Sequence, residues 1–242
     1  MFYYFEELTS TIDEAKDGRY RHGDVVVADH QTEGRGQRGR VWSAPAGENL
    51  MFSVVLDTSR LRTGDQFLLL QAVAMALVDM FAGYGLEARV KWTNDIYIGD
   101  RKITGVLIDH SSGPGGMLSR SGVGVGINVN QTNFEEWLPN PTSMARETGR
   151  EFDRREVLTR FHERLLARFA MLDGEESREE LRRDYHSKIY RLDTPARYAL
   201  PDGGEFTGIV RGVGRGGELA IEHSGGALKH YLFREVSFVI QI

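Results

Sequence analysis

A chain of 242 residues with 40% hydrophobic and 27% charged side chains can bury a large core and is not wholesale disordered. It has no cysteine, which excludes a disulfide framework, a thiolate nucleophile and a zinc finger. Its 35 acidic and 30 basic side chains leave a net charge of −5, so no global positive field attracts nucleic acid. The N-terminus has no basic start followed by an apolar run, as a secretory signal would. The most apolar stretch, 67–78, is interrupted by Gln71 and reads as too short to cross a bilayer. A cytoplasmic chain without membrane or DNA partners is expected.

In chain order, 24–28 (DVVVA) and 50–56 (LMFSVVL) read as strands, with a glycine- and arginine-rich stretch at 33–40 between them. Residues 66–84 are apolar almost throughout without alternation, which predicts a buried helix. Strands are expected at 89–92, 95–98, 102–109 and 122–129. Residues 153–172 carry Val157, Phe161, Leu165 and Phe169 at helical spacing, with Asp153 and Glu156 placed as a capping box. A further helix covers 176–190. Beyond that, about five short strands with glycine turns suggest a small barrel. The expected fold class is α+β: a mixed-sheet unit at 1–189 and a small β unit at 190–242.

Two segments carry chemistry. Glu33-Gly-Arg-Gly-Gln-Arg-Gly-Arg-Val-Trp42 packs arginines among glycines, which suits anions: backbone N–H groups can approach closely and guanidinium offers two-pronged donors. It fits neither phosphate-loop glycine pattern, so an exposed loop without ligand or an RNA-contacting arm remain alternatives. In the second segment, KWTNDIYIGDRKITGVLI, Gly99-Asp100 forms a two-residue turn. Counting outward pairs Ile98 with Arg101, Tyr97 with Lys102, Ile96 with Ile103 and Asp95 with Thr104. Alternation puts Ile96, Ile98 and Ile103 on a core face, and Asp95, Tyr97, Lys102 and Thr104 on the other. The plain alternative is a solvated Asp–Lys face. The seven histidines show no metal-ligand spacing.

Together these segments resemble the glycine–arginine loop and the KWPND…RKxxG segment of biotin–protein ligases. Ser10-Thr11, Asp29-His30-Gln31, Gly124-Val-Gly-Ile-Asn128 and Pro141-Thr-Ser-Met144 match further family segments in the same order. The terminal β stretch is similar to the family's small SH3-like domain. The resemblance implies adenylation of biotin with ATP and magnesium, then transfer to a lysine of a biotin carboxyl carrier protein or domain. It implies Lys102, Asp95, Arg35 and Arg38 as catalytic groups. Ser10, Thr11, Gln31, Gly34, Arg35, Lys102 and Gly105 would hold biotin. Arg35, Arg38, Arg40, Trp42, Lys91, Asn94 and Asn128 would hold the nucleotide, with Asp95 binding magnesium or orienting the acceptor lysine. Thr11 with Glu14 could equally cap a helix, Asn128 could satisfy a strand end, and Trp42 could be core.

The sequence departs from the family at Gln37, usually arginine, and at Thr93, usually proline, which is expected to loosen that turn. No helix-turn-helix pattern is seen, so operator binding is not expected, and a homodimer is left open. The glycine–arginine loop is expected to be mobile until phosphate orders it. The nearest rival reading is a lipoate– or octanoate–protein ligase of the same fold; a more distant one is an RNA-binding module.

Overall fold

The aromatic and valine-rich segments nearest the N-terminus pair first. The computed structural model describes residues 1–39 and 41–240, and in it β1 (Phe2–Leu8) runs parallel to β2 (Val25–Gln31). β1 was absent from the expected elements. The remaining strands of the large sheet are β3 (Leu50–Asp57), β4 (Ala88–Lys91), β5 (Asp95–Ile98), β6 (Arg101–Ser112) and β7 (Leu118–Ile127). The order is β1-β2-β3-β7-β6-β5-β4, with every neighbouring pair after β1-β2 antiparallel, giving a mixed seven-stranded sheet.

Strand alternation divides this sheet between two layers. Val25, Val27, Phe52, Val54 and Leu56 join the main core, while Val26 and Val55 pack with Ala15 and Tyr20 on the opposite face. The main core is closed by α2 (Gln66–Ala82), α4 (Arg154–Ala170) and α5 (Glu175–Ser187). Two short helices, α1 (Thr11–Glu14) and α3 (Met144–Thr148), lie at the other face and near the end of β7.

The apolar run is longer than its sequence suggests. Thr63–Ala82 is long and apolar enough to cross a membrane by length and composition alone; Gln71 lies within it, is buried and does not end the helix. It is the central core helix, apolar on nearly all sides because the sheet, α4 and α5 cover it. α4 buries the expected stripe, and Phe161 meets Phe52 at 5.3 Å between ring centroids. Asp153 caps α4 by accepting from the backbone N–H groups of Arg155 and Glu156. Such a cap contributes about 1 kcal/mol.

A second, antiparallel sheet holds β8 (Pro195–Ala199), β9 (Glu205–Val213), β10 (Leu219–His223), β11 (Leu228–Tyr231) and β12 (Ser237–Phe238), in the order β11-β10-β9-β8-β12. It docks beside β4 and β5. The Trp92 indole donates to the Gly217 carbonyl at 2.8 Å, and Tyr190 packs against both Tyr97 and Phe238. The fold is therefore α+β, a mixed sheet with helices followed by a small antiparallel sheet.

Candidate active site

The face of the large sheet opposite the long helices carries a floor of glycines. Gly122, Gly124 and Gly126 alternate along β7, and Gly105 of β6 pairs with Gly126. A Cβ at Gly126 would lie 2.3 Å from Trp42 Cε2, and one at Gly105 would lie 3.0 Å from Trp42 Cζ3. At Gly124 it would lie 3.3 Å from Ile12 Cδ1 and 3.6 Å from Ser53 Oγ. Only glycine admits side chains this close to the strand backbone. Ile12 and Trp42 thus rest on the floor at two points. No described residue accepts the buried Nε1 hydrogen of Trp42. Such an orphaned donor costs about 1–3 kcal/mol.

Around Ile12 stands a polar rim. Thr11 N donates to Gln31 Oε1 at 2.7 Å, and Ser53 Oγ donates to Thr11 Oγ1 at 2.9 Å. Ser10 and Thr11 are buried, and Gln31 ends β2 half-buried. The capping alternative for Thr11 fails: Ser10 occupies the N-cap position, with no side-chain cap bond, and Thr11 is the first helical residue. Gln31 keeps its amide nitrogen near Gly34, whose own Cβ would fall 2.2 Å from the Trp42 carbonyl. That contact makes Gly34 obligatory where the glycine–arginine loop closes, with Trp42 N donating to Gly34 O and Arg35 bridged to Val41.

Lys102 and Asp95 share a face as expected and meet there, with Nζ 2.7 Å from Oδ1. The register that brings them there differs from the simple count. Ile98 pairs with Arg101 and Tyr97 with Lys102, but a bulge then sets Ile96 opposite Thr104 and Asp95 opposite Gly105. The extra residue on β6 turns both Ile103 and Thr104 into the core, each 0% exposed, so Thr104 is not on the polar face. The bulge has a consequence for the site. Plain alternation would put Lys102 and Gly105 on opposite faces, whereas here a Cβ at Gly105 would lie 3.5 Å from Lys102 Nζ. Lys102 Nζ also stands 5.8 Å from the Trp42 ring centroid. Ile96, Ile98 and Ile103 are all buried in the core as expected. Tyr97 is covered too, because Tyr190 packs over it.

The Lys102 backbone is held from both sides. Its N–H donates to Asn140 O and its carbonyl accepts from Thr142 N, opposite its pairing with Tyr97. Glu147 of α3 accepts both prongs of Arg101 at 2.9 and 2.8 Å and also the Thr142 hydroxyl. Burial pushes the Glu147 carboxyl up, but the hydrogen bonds from Arg101 and Thr142 outweigh it and hold it below its ordinary range.

Two expected nucleotide contacts serve as braces. Asn94 donates to the Val106 carbonyl and accepts from the Thr93 hydroxyl, so the turn carrying Thr93 is tied down and not loosened. Asn128 is buried and donates to Thr142 O at 2.9 Å, the strand-end role. Lys91 lies opposite Asp95, its Nζ 5.1 Å from the Tyr97 ring and 5.5 Å from that of Phe238. Arg35 reaches Asp13, with Nη2 to Oδ2 at 2.6 Å and Nη1 to Oδ1 at 3.2 Å. Arg40 and the Arg38 side chain lie outside the described residues. Sequence reasoning missed Ser53, a lone hydroxyl in an apolar strand, and Asp13, which no local pattern connects to Arg35. Among the described residues no three His, Cys, Asp or Glu side chains group to hold a metal.

This geometry agrees with comparison to known proteins. Residues 2–128 match the model of the biotin/lipoate A/B protein ligase family. The bifunctional ligase/repressor BirA of Salmonella typhimurium is 31% identical over 224 residues, covering 91% of this chain and 68% of that protein. The biotin–[acetyl-CoA-carboxylase] ligase of Mycobacterium tuberculosis is 30% identical over 207 residues, covering 84% and 74%. The biotin protein ligase from Aquifex aeolicus, solved with biotin and ATP, superposes with a TM-score of 0.82 at 27% identity, covering 99% of both chains. The chain belongs to the biotin/lipoate A/B protein ligase family.

Proposed function

We propose that this chain joins biotin to ATP as biotinyl-5'-AMP and passes the biotinyl group to a lysine of a biotin carboxyl carrier domain. The observation that carries the reading is the Lys102–Asp95 pair at 2.7 Å, set beside a glycine floor under Trp42. The Mycobacterium tuberculosis and Aquifex aeolicus relatives are named for biotin, which favours biotin over lipoate.

In the first step a biotin carboxylate oxygen attacks the α-phosphorus of ATP. A P–O bond forms, the bond to the β-phosphate oxygen breaks, and pyrophosphate leaves. The obstacle is the approach of two anions. Lys102, aimed over the floor, offsets the charge that builds between them. The apolar surface of Ile12 and Trp42, seated on the floor, accepts one face of the biotin rings. Thr11, Ser10 and the amide nitrogen of Gln31 take the ureido group, with Gly34 and Gly105 allowing close backbone approach. Trp42 stacks on adenine and offers its N–H, which no described residue accepts. Arg35, Arg38 and Arg40 shield the anhydride from water. Lys91 adds positive charge beside Asp95, while Asn94 and Asn128 support the site from behind.

In the second step the acceptor amine attacks the acyl carbon, an amide C–N bond forms and AMP leaves. Asp95, already gripping Lys102, orients the amine and accepts its proton. Magnesium bound with ATP would offset phosphate charge. In the first step, before the amine arrives, Asp95 is the residue that would hold that ion, and a lone carboxylate suits it. We assign residues 1–189 to the catalytic unit and 190–242 to a small SH3-like unit, in a cytoplasmic enzyme. The test mixes protein, biotin, ATP, magnesium and an apo carrier domain, with lipoate as competitor. Biotinylation that lipoate does not suppress supports the reading, and transfer of lipoate in preference to biotin overturns it.

A further inference from the structure

The glycine–arginine loop raises a physical problem that the proposed function leaves open. Gly34, Gly36 and Gly39 suit it to close approach but make it costly to order. Arg35 is 51% exposed, and its direction comes from Asp13, which engages two of its nitrogens at once. Asp13 is itself well placed. It follows Ile12, which is buried against the glycine row of β7, so α1 cannot shift without lifting that side chain from the sheet.

The carboxylate is also shared. Lys16 Nζ lies 3.0 Å from Asp13 Oδ1 and 2.8 Å from Asp109 Oδ2, which makes a row Asp109–Lys16–Asp13–Arg35 of alternating charge from β6 to the loop. Both carboxylates raise the Lys16 ammonium above its ordinary range, so it stays charged at any working pH. Lys16 offsets part of the Asp13 charge, which leaves Arg35 aimed without being neutralised. A bare Asp13–Arg35 pair would do the reverse and compete with an incoming anion.

We propose that Asp13 is a positioning residue: it aims the Arg35 guanidinium at the phosphates of ATP, with Lys16 and Asp109 completing the support. The proposal rests on the functional reading above. Asp13 touches no substrate, so its loss acts through Arg35 and is felt in nucleotide binding more than in the chemical step.

The test measures biotin-dependent pyrophosphate release across an ATP titration at saturating biotin, for wild type, Asp13→Asn, Asp13→Glu, Arg35→Ala and the Asp13→Asn/Arg35→Ala double variant. We expect Asp13→Asn to raise KM for ATP by about 2- to 5-fold, the scale of one exposed ion pair, with kcat changed less. Asp13→Glu should restore it, and Asp13→Asn should add nothing once Arg35 is gone. An unchanged KM, an equal effect with and without Arg35, or no rescue by glutamate overturns the proposal. A fall in KM does so too, showing Asp13 to be a competitor for Arg35. Should wild type release no pyrophosphate with biotin, the functional reading fails separately, and equilibrium ATP binding by the same variants still decides the role of Asp13.

Discussion

Adding one methyl group at Gly126 separates a site floor from ordinary core. The new carbon would stand 2.3 Å from Trp42 Cε2, against about 3.4 Å for an ordinary contact, so the indole must retreat by roughly 1 Å. Trp42 is only partly buried and can move outward, unlike a side chain locked in a core, where overpacking costs about 1–3 kcal/mol. Gly→Ala also reduces unfolded-chain entropy by about 0.4–1 kcal/mol where the backbone tolerates it, and Gly126 has no positive φ. The two effects nearly offset. Gly126→Ala should therefore leave Tm within about 4 °C of wild type, the shift that ~1 kcal/mol brings in a domain of this size. Trp42 leaves its sheltered position, so tryptophan emission should move to the red and KM for ATP should rise. Thermal melts, emission spectra and an ATP titration read the three effects. Collapse of Tm would show that the glycine row is structural core; unchanged emission and KM would show that Trp42 does not depend on this floor.

Lys102→Ala should lose most biotin-dependent pyrophosphate release while staying folded, since its side chain is 31% exposed; wild-type release from that variant would remove Lys102 from the mechanism. Glu147→Gln weakens the grip on Arg101 and so the 140–142 segment flanking Lys102, and should lower kcat more than it raises KM for biotin; an unchanged kcat would show that the brace is dispensable. Burial depresses His110 and His162 below their ordinary value of 6.5. The folded state then binds fewer protons than the unfolded chain, so stability is full above about pH 6.5 and falls as pH drops through the folded values. Urea midpoints at pH 7.5, 6 and 5 should decline, and a flat series would contradict the assignment.

Much of this arrangement is legible in the residues because simple periodicity governs it. The isoleucine face of the β5–β6 hairpin, the α4 stripe and the terminal glycine-punctuated strands each follow from spacing alone. Where legibility stops, a non-local contact decides. Nothing in Ile103-Thr104 announces a bulge, yet it puts Gly105 beside Lys102 and buries Thr104 with no partner for its hydroxyl among the described residues. Asn94 and Asn128 look like ligand contacts in sequence, but Val106 and Thr142 carbonyls claim their amide nitrogens once the strands pair. Asp13 and Arg35 stand 22 positions apart and meet only because Ile12 fixes α1 over β7. The apolar run at 67–78 reads as too short for a membrane and as interrupted by Gln71, whereas the helix extends beyond it at both ends and Gln71 is buried.

The central claim is that Lys102 and Asp95, over a glycine floor beneath Trp42, join a carboxylate to a nucleotide and deliver it to an amine. The most direct measurement follows radiolabelled biotin through single turnovers with ATP, first alone and then with an apo carrier domain. The account predicts an enzyme-bound biotinyl-adenylate forming with one equivalent of pyrophosphate, then label on the carrier lysine with release of AMP. Label reaching the carrier without pyrophosphate release, or adenylation of lipoate in preference to biotin, would contradict it.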